Sequence, residues 1–455
     1  MRVLFDLASQ RDSSTDNNVS SDTKNTTKGS FRGKLATLAA ATVAAFAPLT
    51  VKAVTPPPNF FPIGVFLQPT STFATWKARG VNTVVDFAAT SQSQQAWDAA
   101  AAADGLYTIR APSANPASDI NDPNLIAWSQ TDEPELKGIT PAFLLSEYDT
   151  LKKIDPSMPV YINFSGANVL NTPDLLTPTY QAMVQAGDII SNDVYPVTAW
   201  SRPQWIDFSQ PMVPNDPENA TGVRWNPGTA IDALRQLSGG KEQWAYIETS
   251  YQDLSSPWAN SVGVTPDQLR GEVWDAIING AKGITYFPQE VGKTIFLNDN
   301  TPAAVAAEIT KQDALITSLG GVINSSSNAT DNRITLTTGG KTNPLLEATW
   351  RSYEGQKYLF VLNMSSETLK NVSFSTTGLQ GLGEMQVFDE SRTDDVSGDT
   401  LTDSFGAYQL HVYDTVGTAG ITTVSIAAPV PEPSTIGLVL ASMALLMPRR
   451  RRNSR

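Results

Sequence analysis

Two apolar runs in this chain end in carboxylates, and they lie more than a hundred positions apart. Leu125–Glu135 reads LIAWSQTDEPE: a buried-strand pattern, then Asp132 and Glu133, with Pro134 unable to extend a ladder. Gln243–Ser250, QWAYIETS, is a second apolar-aromatic strand that delivers Glu248 at its end. The carboxyl ends of parallel strands form the face on which α/β folds place their ligands. A pair of carboxyls there can divide the cleavage of a C–O bond, one giving a proton to the leaving oxygen and the other standing beneath the carbon.

Other polar groups end neighbouring strand-like runs. Asp86, Arg110, Asp193, Tyr195 and Glu290 are candidates for holding substrate hydroxyls, with Asp132 beside the first carboxylate. Trp200, Trp205, Trp225 and Trp258 fall in long Pro/Trp-rich loops, where indole faces suit the C–H faces of sugar rings. Plainer readings stand beside these. Asp-Glu-Pro-Glu can be a solvated loop or helix-start acids favoured by the dipole, which is the role expected of Glu135. Glu248 can be a structural partner of Arg270, and His411, the sole histidine, can pack in the C-terminal part. No His/Cys/Asp cluster has metal-ligand spacing, so neither a metal nor another cofactor is indicated, and a His-based triad has no histidine before position 411.

The elements that must position these groups alternate. Strands are expected at Ile63–Gln68, Val81–Phe87, Tyr107–Pro112, Leu125–Gln130, Val160–Phe164, Asp188–Tyr195, Trp244–Glu248 and Gly283–Phe287. Helices are expected at Phe73–Arg79, Gln92–Asp104, Pro141–Ile154 (Thr140 as N-cap), Thr179–Ala186, Thr229–Leu237, Pro266–Ala281 and Ala303–Leu319. The link between the third and fourth strands looks poor in helix. Eight strands over about 260 positions have the size and rhythm of a (β/α)8 TIM barrel. A doubly wound sheet is the rival, but no Gly-rich phosphate loop follows the first strand. From Ser325 apolar and polar residues alternate between Gly/Asn/Ser/Asp turns, the pattern of a C-terminal antiparallel β-sandwich. The organisation read from the sequence is an N-terminal extension and signal peptide at 1–53, a barrel at 54–322, a sandwich at 323–428 and a sorting tail at 429–455.

Glu133 on the fourth strand and Glu248 on the seventh resemble the arrangement of clan A glycoside hydrolases. The stretch Gln268–Gly283, QLRGEVWDAIINGAKG, looks like the β-galactosidase-like members of that clan. The resemblance implies Glu133 as acid/base, Glu248 as nucleophile, Tyr195 as a hydrogen-bond partner of the nucleophile, and a glycan as substrate. Three departures stand out. Asp132 replaces the usual Asn, so an acceptor stands where a donor is usual. The barrel segment has no histidine, and the tryptophan common at the end of strand eight is absent, with Tyr286 and Phe287 nearby.

The two ends carry addresses. Arg32 and Lys34 precede the Ala/Leu/Thr-rich run Leu35–Val51, and Val51-Lys52-Ala53 offers a small-residue cleavage site. At the other end, Val430–Thr435 (VPEPST), the apolar run Ile436–Met447 and Arg449–Arg452 closely resemble the PEP-CTERM sorting signal of Gram-negative bacteria. That resemblance implies export, processing by exosortase machinery, transient membrane contact through the tail, and surface or exopolysaccharide biology. The two ends hold twelve of the 32 Lys and Arg and five of the 45 Asp and Glu, leaving 20 basic and 40 acidic residues between Val54 and Val430. So acidic a surface repels polyanions and argues against nucleic acid as a partner. With no cysteine, stability rests on the core.

The reading is an exported glycoside hydrolase-like protein that hydrolyses a β-linked glycan with retention. One rival is a non-catalytic surface protein that binds exopolysaccharide on a degenerate barrel. Another is a matrix protein whose sandwich mediates adhesion.

Overall fold

The structure, a computed structural model, describes residues 57–88, 92–166, 178–198, 226–250, 263–289, 299–325, 333–334, 336–343 and 345–415. The segments expected to act as N-terminal and C-terminal addresses, and Trp200, Trp205, Trp225, Trp258 and Glu290, lie outside these residues.

Eight parallel strands close into a barrel: β1 Ile63–Phe66, β2 Thr83–Val85, β3 Tyr107–Arg110, β4 Leu125–Ser129, β5 Val160–Phe164, β6 Ile189–Asn192, β7 Glu242–Glu248 and β8 Gly283–Phe287, with β8 pairing β1. The helices are α1 Phe73–Arg79, α2 Gln94–Ala103, α3 Pro116–Asp119, α4 Pro141–Ile154, α5 Pro178–Met183, α6 Pro227–Ser238, α7 Pro266–Ile278, α8 Ala303–Ser318 and α9 Gly320–Asn324. The link expected to be poor in helix holds only the four-residue α3.

Local chemistry sets the boundaries. Side chains of Ser93, Thr140, Asn226 and Thr265 accept the N3 amides of α2, α4, α6 and α7, and Thr265 with Gln268 forms a full capping box. Pro occupies the first turn of α4, α6 and α7, where its missing N–H costs nothing. The barrel interior is filled by Phe66, Val85, Ile109, Ala127, Tyr161, Ile189, Trp244, Tyr246 and Phe287. Gly283 is required there, because a Cβ would lie 2.4 Å from the Trp244 ring. The outward residues of the strands pack against the helices.

The C-terminal part is a ten-stranded sheet, β9 Arg333–Ile334, β10 Thr337–Thr338, β11 Lys341–Thr342, β12 Leu346–Tyr353, β13 Gln356–Asn363, β14 Leu369–Ser375, β15 Glu384–Val387, β16 Thr393–Ser397, β17 Thr400–Phe405 and β18 Leu410–Thr415. Its order is β11-β10-β14-β17-β16-β15-β18-β13-β12-β9, with antiparallel pairs throughout. Strand β16 pairs β15 on one side and β17 on the other, so the sheet curls over one core in the manner of a sandwich. His411 lies in this sheet, stacked on Phe405 and hydrogen-bonded to Asp403 at 2.7 Å.

The sheet is bound to α7. Arg270 donates to the carbonyls of Tyr408 and Ala407, each at 2.8 Å, and Asn279 donates to Glu347 at 2.9 Å. Trp274 packs on Phe360 with ring centroids 6.0 Å apart, and one apolar cluster runs from the barrel helices into the sheet.

Candidate active site

The barrel strands deliver their polar groups to one mouth. Alternation along β7 turns Trp244 and Tyr246 into the barrel and Ala245 and Ile247 against the helices, so Glu248 falls on the inward side. On β4 the same alternation places Ala127 inward, with Ser129 above it donating to Asp86 at 2.5 Å. Leu67, Asp86 and Glu133, which follow β1, β2 and β4, have φ of 49°, 61° and 43°. Left-handed backbone at non-glycine residues costs on the order of 1–3 kcal/mol each and gathers at functional rims.

Glu133 is held from both directions. Its amide donates to the carbonyl of Asn163 at 3.1 Å, and its carbonyl accepts the amide of Leu136 at 3.1 Å. Its carboxyl hydrogen-bonds the Asp193 carboxyl. Asp193 in turn accepts the Gly166 amide at 2.6 Å, and a Cβ at Gly166 would strike the Val194 backbone at 2.6 Å. Burial, then the Asp132 charge, raises the pKa of Glu133. Burial, then the charges of Glu133 and Asp132, raises Asp193 well above the carboxylate range. Side by side, the two groups do not both ionise as readily as either would alone.

Asp132 accepts Asn163 Nδ2 at 2.9 Å and meets Lys137 Nζ at 3.4 Å; Lys137 also donates to the Asp132 carbonyl. Burial, then Asp132, pushes Asp86 up to about 7. Glu135 is no helix-start ornament: its Oε1 accepts the Ser165 amide at 2.6 Å, and burial pushes it up to about 7.

Glu248 is 2% exposed. Its Oε1 accepts the Val197 amide at 2.5 Å, and its Oε2 accepts the Thr198 amide at 2.7 Å and the Thr198 hydroxyl. Burial raises its pKa against the pull of these donors. The Glu248 amide donates to Glu272 Oε2 at 3.3 Å. Arg270, the structural partner the sequence offered, instead binds Asp267, Glu308 and the sheet carbonyls.

Tyr195 joins the two halves. It is 9% exposed, its ring lies 5.0 Å from that of Phe287, and its phenol is pushed up by burial and then by Asp193, Glu133, Asp132 and Glu248. The hydroxyl that binds Glu248 is that of Thr198, in the role that the resemblance implied for Tyr195. Asp86, Asp132, Glu133, Asp193, Tyr195 and Glu248 thus share one electrostatic neighbourhood.

Arg110 does not join them. Next to inward-facing Ile109, it turns to the helix side and pairs with Asp98 at 2.8 Å, Asp119 at 3.3 Å and Asp122 at 3.5 Å. It is a buried structural cation and not a substrate ligand. Thr198, Asn163, Ser129 and Glu272 were not read from the sequence as site residues. Among the described residues, no group of three or more His, Cys, Asp or Glu side chains is arranged to hold a metal ion.

The model of glycoside hydrolase family 42, described as β-galactosidase, matches residues 127–298, a span that contains both Glu133 and Glu248. The match supports a glycosidase. No curated protein matches the sequence. Among solved structures, a catalytic mutant of a GH42 β-galactosidase from G. stearothermophilus is 10% identical with a TM-score of 0.48, covering 78% of this chain and 98% of that one. An Anoxybacillus α-amylase is 8% identical with a TM-score of 0.49, covering 80% of this chain and 100% of that one. The β-galactosidase of the psychrophilic Marinomonas ef1 is 9% identical with a TM-score of 0.47, covering 78% and 100%.

Proposed function

We propose that the chain hydrolyses a β-linked glycan with retention of configuration. The observation that carries this reading is the convergence of Glu133 and Glu248, from β4 and β7, on Tyr195 at one barrel mouth. Glu133, its pKa raised by burial and then by the Asp132 charge, gives a proton to the glycosidic oxygen. Glu248 attacks the anomeric carbon as the aglycone leaves. Glu133, now ionised, then takes a proton from water as that water displaces Glu248. Asp86, Asp132 and Asp193 present acceptors to sugar hydroxyls. In this reading the barrel of β1 to β8 is the catalytic domain and the sheet of β9 to β18 its companion. Export, sorting by the 429–455 tail through exosortase and a surface exopolysaccharide as the natural glycan complete the proposal.

The test is a panel of aryl β-glycosides, with the anomer of the first-formed product read by NMR. An activated 2-fluoro glycoside should label Glu248 covalently. Product of inverted configuration, or label on another residue, would overturn the mechanism.

A second reading, a glycan-binding protein without turnover, is favoured by one observation. Both Glu248 oxygens are taken by protein donors, and the side chain is 2% exposed. Saturable glycan binding with neither product nor label would select it.

A further inference from the structure

Glu272 sits near the middle of α7 with no exposed surface, and among the described residues no cation pairs with it. Arg270, two positions away, is drawn off by Asp267 at 2.6 Å, Glu308 at 3.2 Å and the carbonyls of Ala407 and Tyr408. Of its two oxygens, Oε2 accepts the Glu248 amide at 3.3 Å, and Oε1 is buried without a donor among the described residues. The Glu272 carboxyl is also in hydrogen-bonding contact with the Glu248 carboxyl. Two ionised carboxylates in a buried contact repel strongly, so one of them keeps a proton. A carboxylate offers about four lone-pair positions. Val197 N, Thr198 N and Thr198 Oγ1 take three of those on Glu248. A proton on the unpartnered Oε1 of Glu272 fits the fourth.

We propose that Glu272 is a positioning residue that, as a neutral acid, donates a hydrogen bond to the Glu248 carboxylate from the helix side of the barrel wall and fixes it for reaction. The inference rests on Glu248 being the nucleophile of the reading above. The proton stays on Glu272 throughout. It favours ionised Glu248 before attack, and it steadies the same carboxylate as the leaving group when water releases the sugar.

Two variants of the full chain test this. E272Q keeps an N–H donor of the same shape, and E272L removes donation. In E272L the acid limb of the kcat/KM profile moves up by about one pH unit. Release of the sugar slows by about tenfold, seen as build-up of the 2-fluoro glycosyl-enzyme. E272Q restores both towards wild type, which a merely structural role would not do at equal melting temperature. Independently of activity, the infrared difference between wild type and E272Q at neutral pH shows the band of one protonated carboxylic acid, present in the wild type only. An absent band overturns the assignment of the proton to Glu272. A present band with the acid limb unmoved in E272L overturns the positioning role. If wild type shows no turnover or label, the proposed function has failed, and the band still decides the protonation of Glu272.

Discussion

The carboxyl groups of Glu133 and Asp193 hydrogen-bond one another, and the Gly166 amide anchors Asp193 at 2.6 Å. Such a pair loses its last proton later than either member alone, because both cannot ionise cheaply side by side. In the proposed mechanism that late loss sets the alkaline limb of kcat/KM. D193N keeps an acceptor for Gly166 but removes the second charge. The alkaline limb should therefore move to lower pH by about one unit or more. A limb that stays in place would show that Glu133 does not draw its proton from this pair.

Thr198 offers a cleaner probe of Glu248. T198V removes the hydroxyl donor and leaves the two amide donors, which belong to the backbone. Hydrogen bonds to a carboxylate favour its charged form, so their loss raises its pKa. The acid limb of kcat/KM should rise by up to about one pH unit, or ~1.4 kcal/mol. An unchanged limb would mean that the hydroxyl does not hold the reacting group.

Asp86 and Glu135 are each pushed up to about 7, chiefly by burial. A carboxyl raised on folding binds its proton more tightly in the native state than in the unfolded chain. Stability therefore falls as pH rises from about 4 to about 7, and each group costs up to about 1.4 kcal/mol per pH unit in that window. D86N should flatten this slope, with its gain over wild type greatest above pH 7 and absent near pH 4. Denaturant midpoints across the range measure it.

Arg110 separates a structural from a ligand role. R110M strands Asp98, Asp119 and Asp122, of which Asp119 is almost fully buried. Breaking such a set should cost about 3–5 kcal/mol of stability. KM below the new unfolding temperature should stay within about twofold, since the side chain faces the helices; 0.4 kcal/mol is roughly that factor. A raised KM with intact stability would return Arg110 to the substrate.

The misplacing of Arg110 shows what the chain leaves unread. In Tyr107–Arg110 both faces are buried, so no polar alternation distinguishes the barrel interior from the helix side. The ends of β4 and β7 were legible for the opposite reason: a short apolar run stops abruptly at acids. Strands β16 and β17, TDDVS and TLTDSF, carry little apolar alternation, because Val396, Leu401 and Phe405 are the residues that they bury. Glu272 escaped because every residue of Gln268–Ile278 except Arg270 is buried, which leaves no polar face against which a buried acid stands out. Thr198 became visible only when the backbone beyond β6 folded over the end of β7.

Arg270 grips two main-chain carbonyls of the sheet, at Ala407 and Tyr408. Carbonyls are the same whatever side chains they carry, so this joint tolerates sequence drift in the sheet while binding it firmly to α7. With Trp274 on Phe360, the barrel interior and the core of the sheet are joined by a further apolar cluster that spans both parts and that neither half keeps whole when the other opens. The barrel and its companion sheet should consequently melt as one cooperative body, in a single calorimetric transition, and an excised barrel should melt lower, having lost its side of the shared cluster.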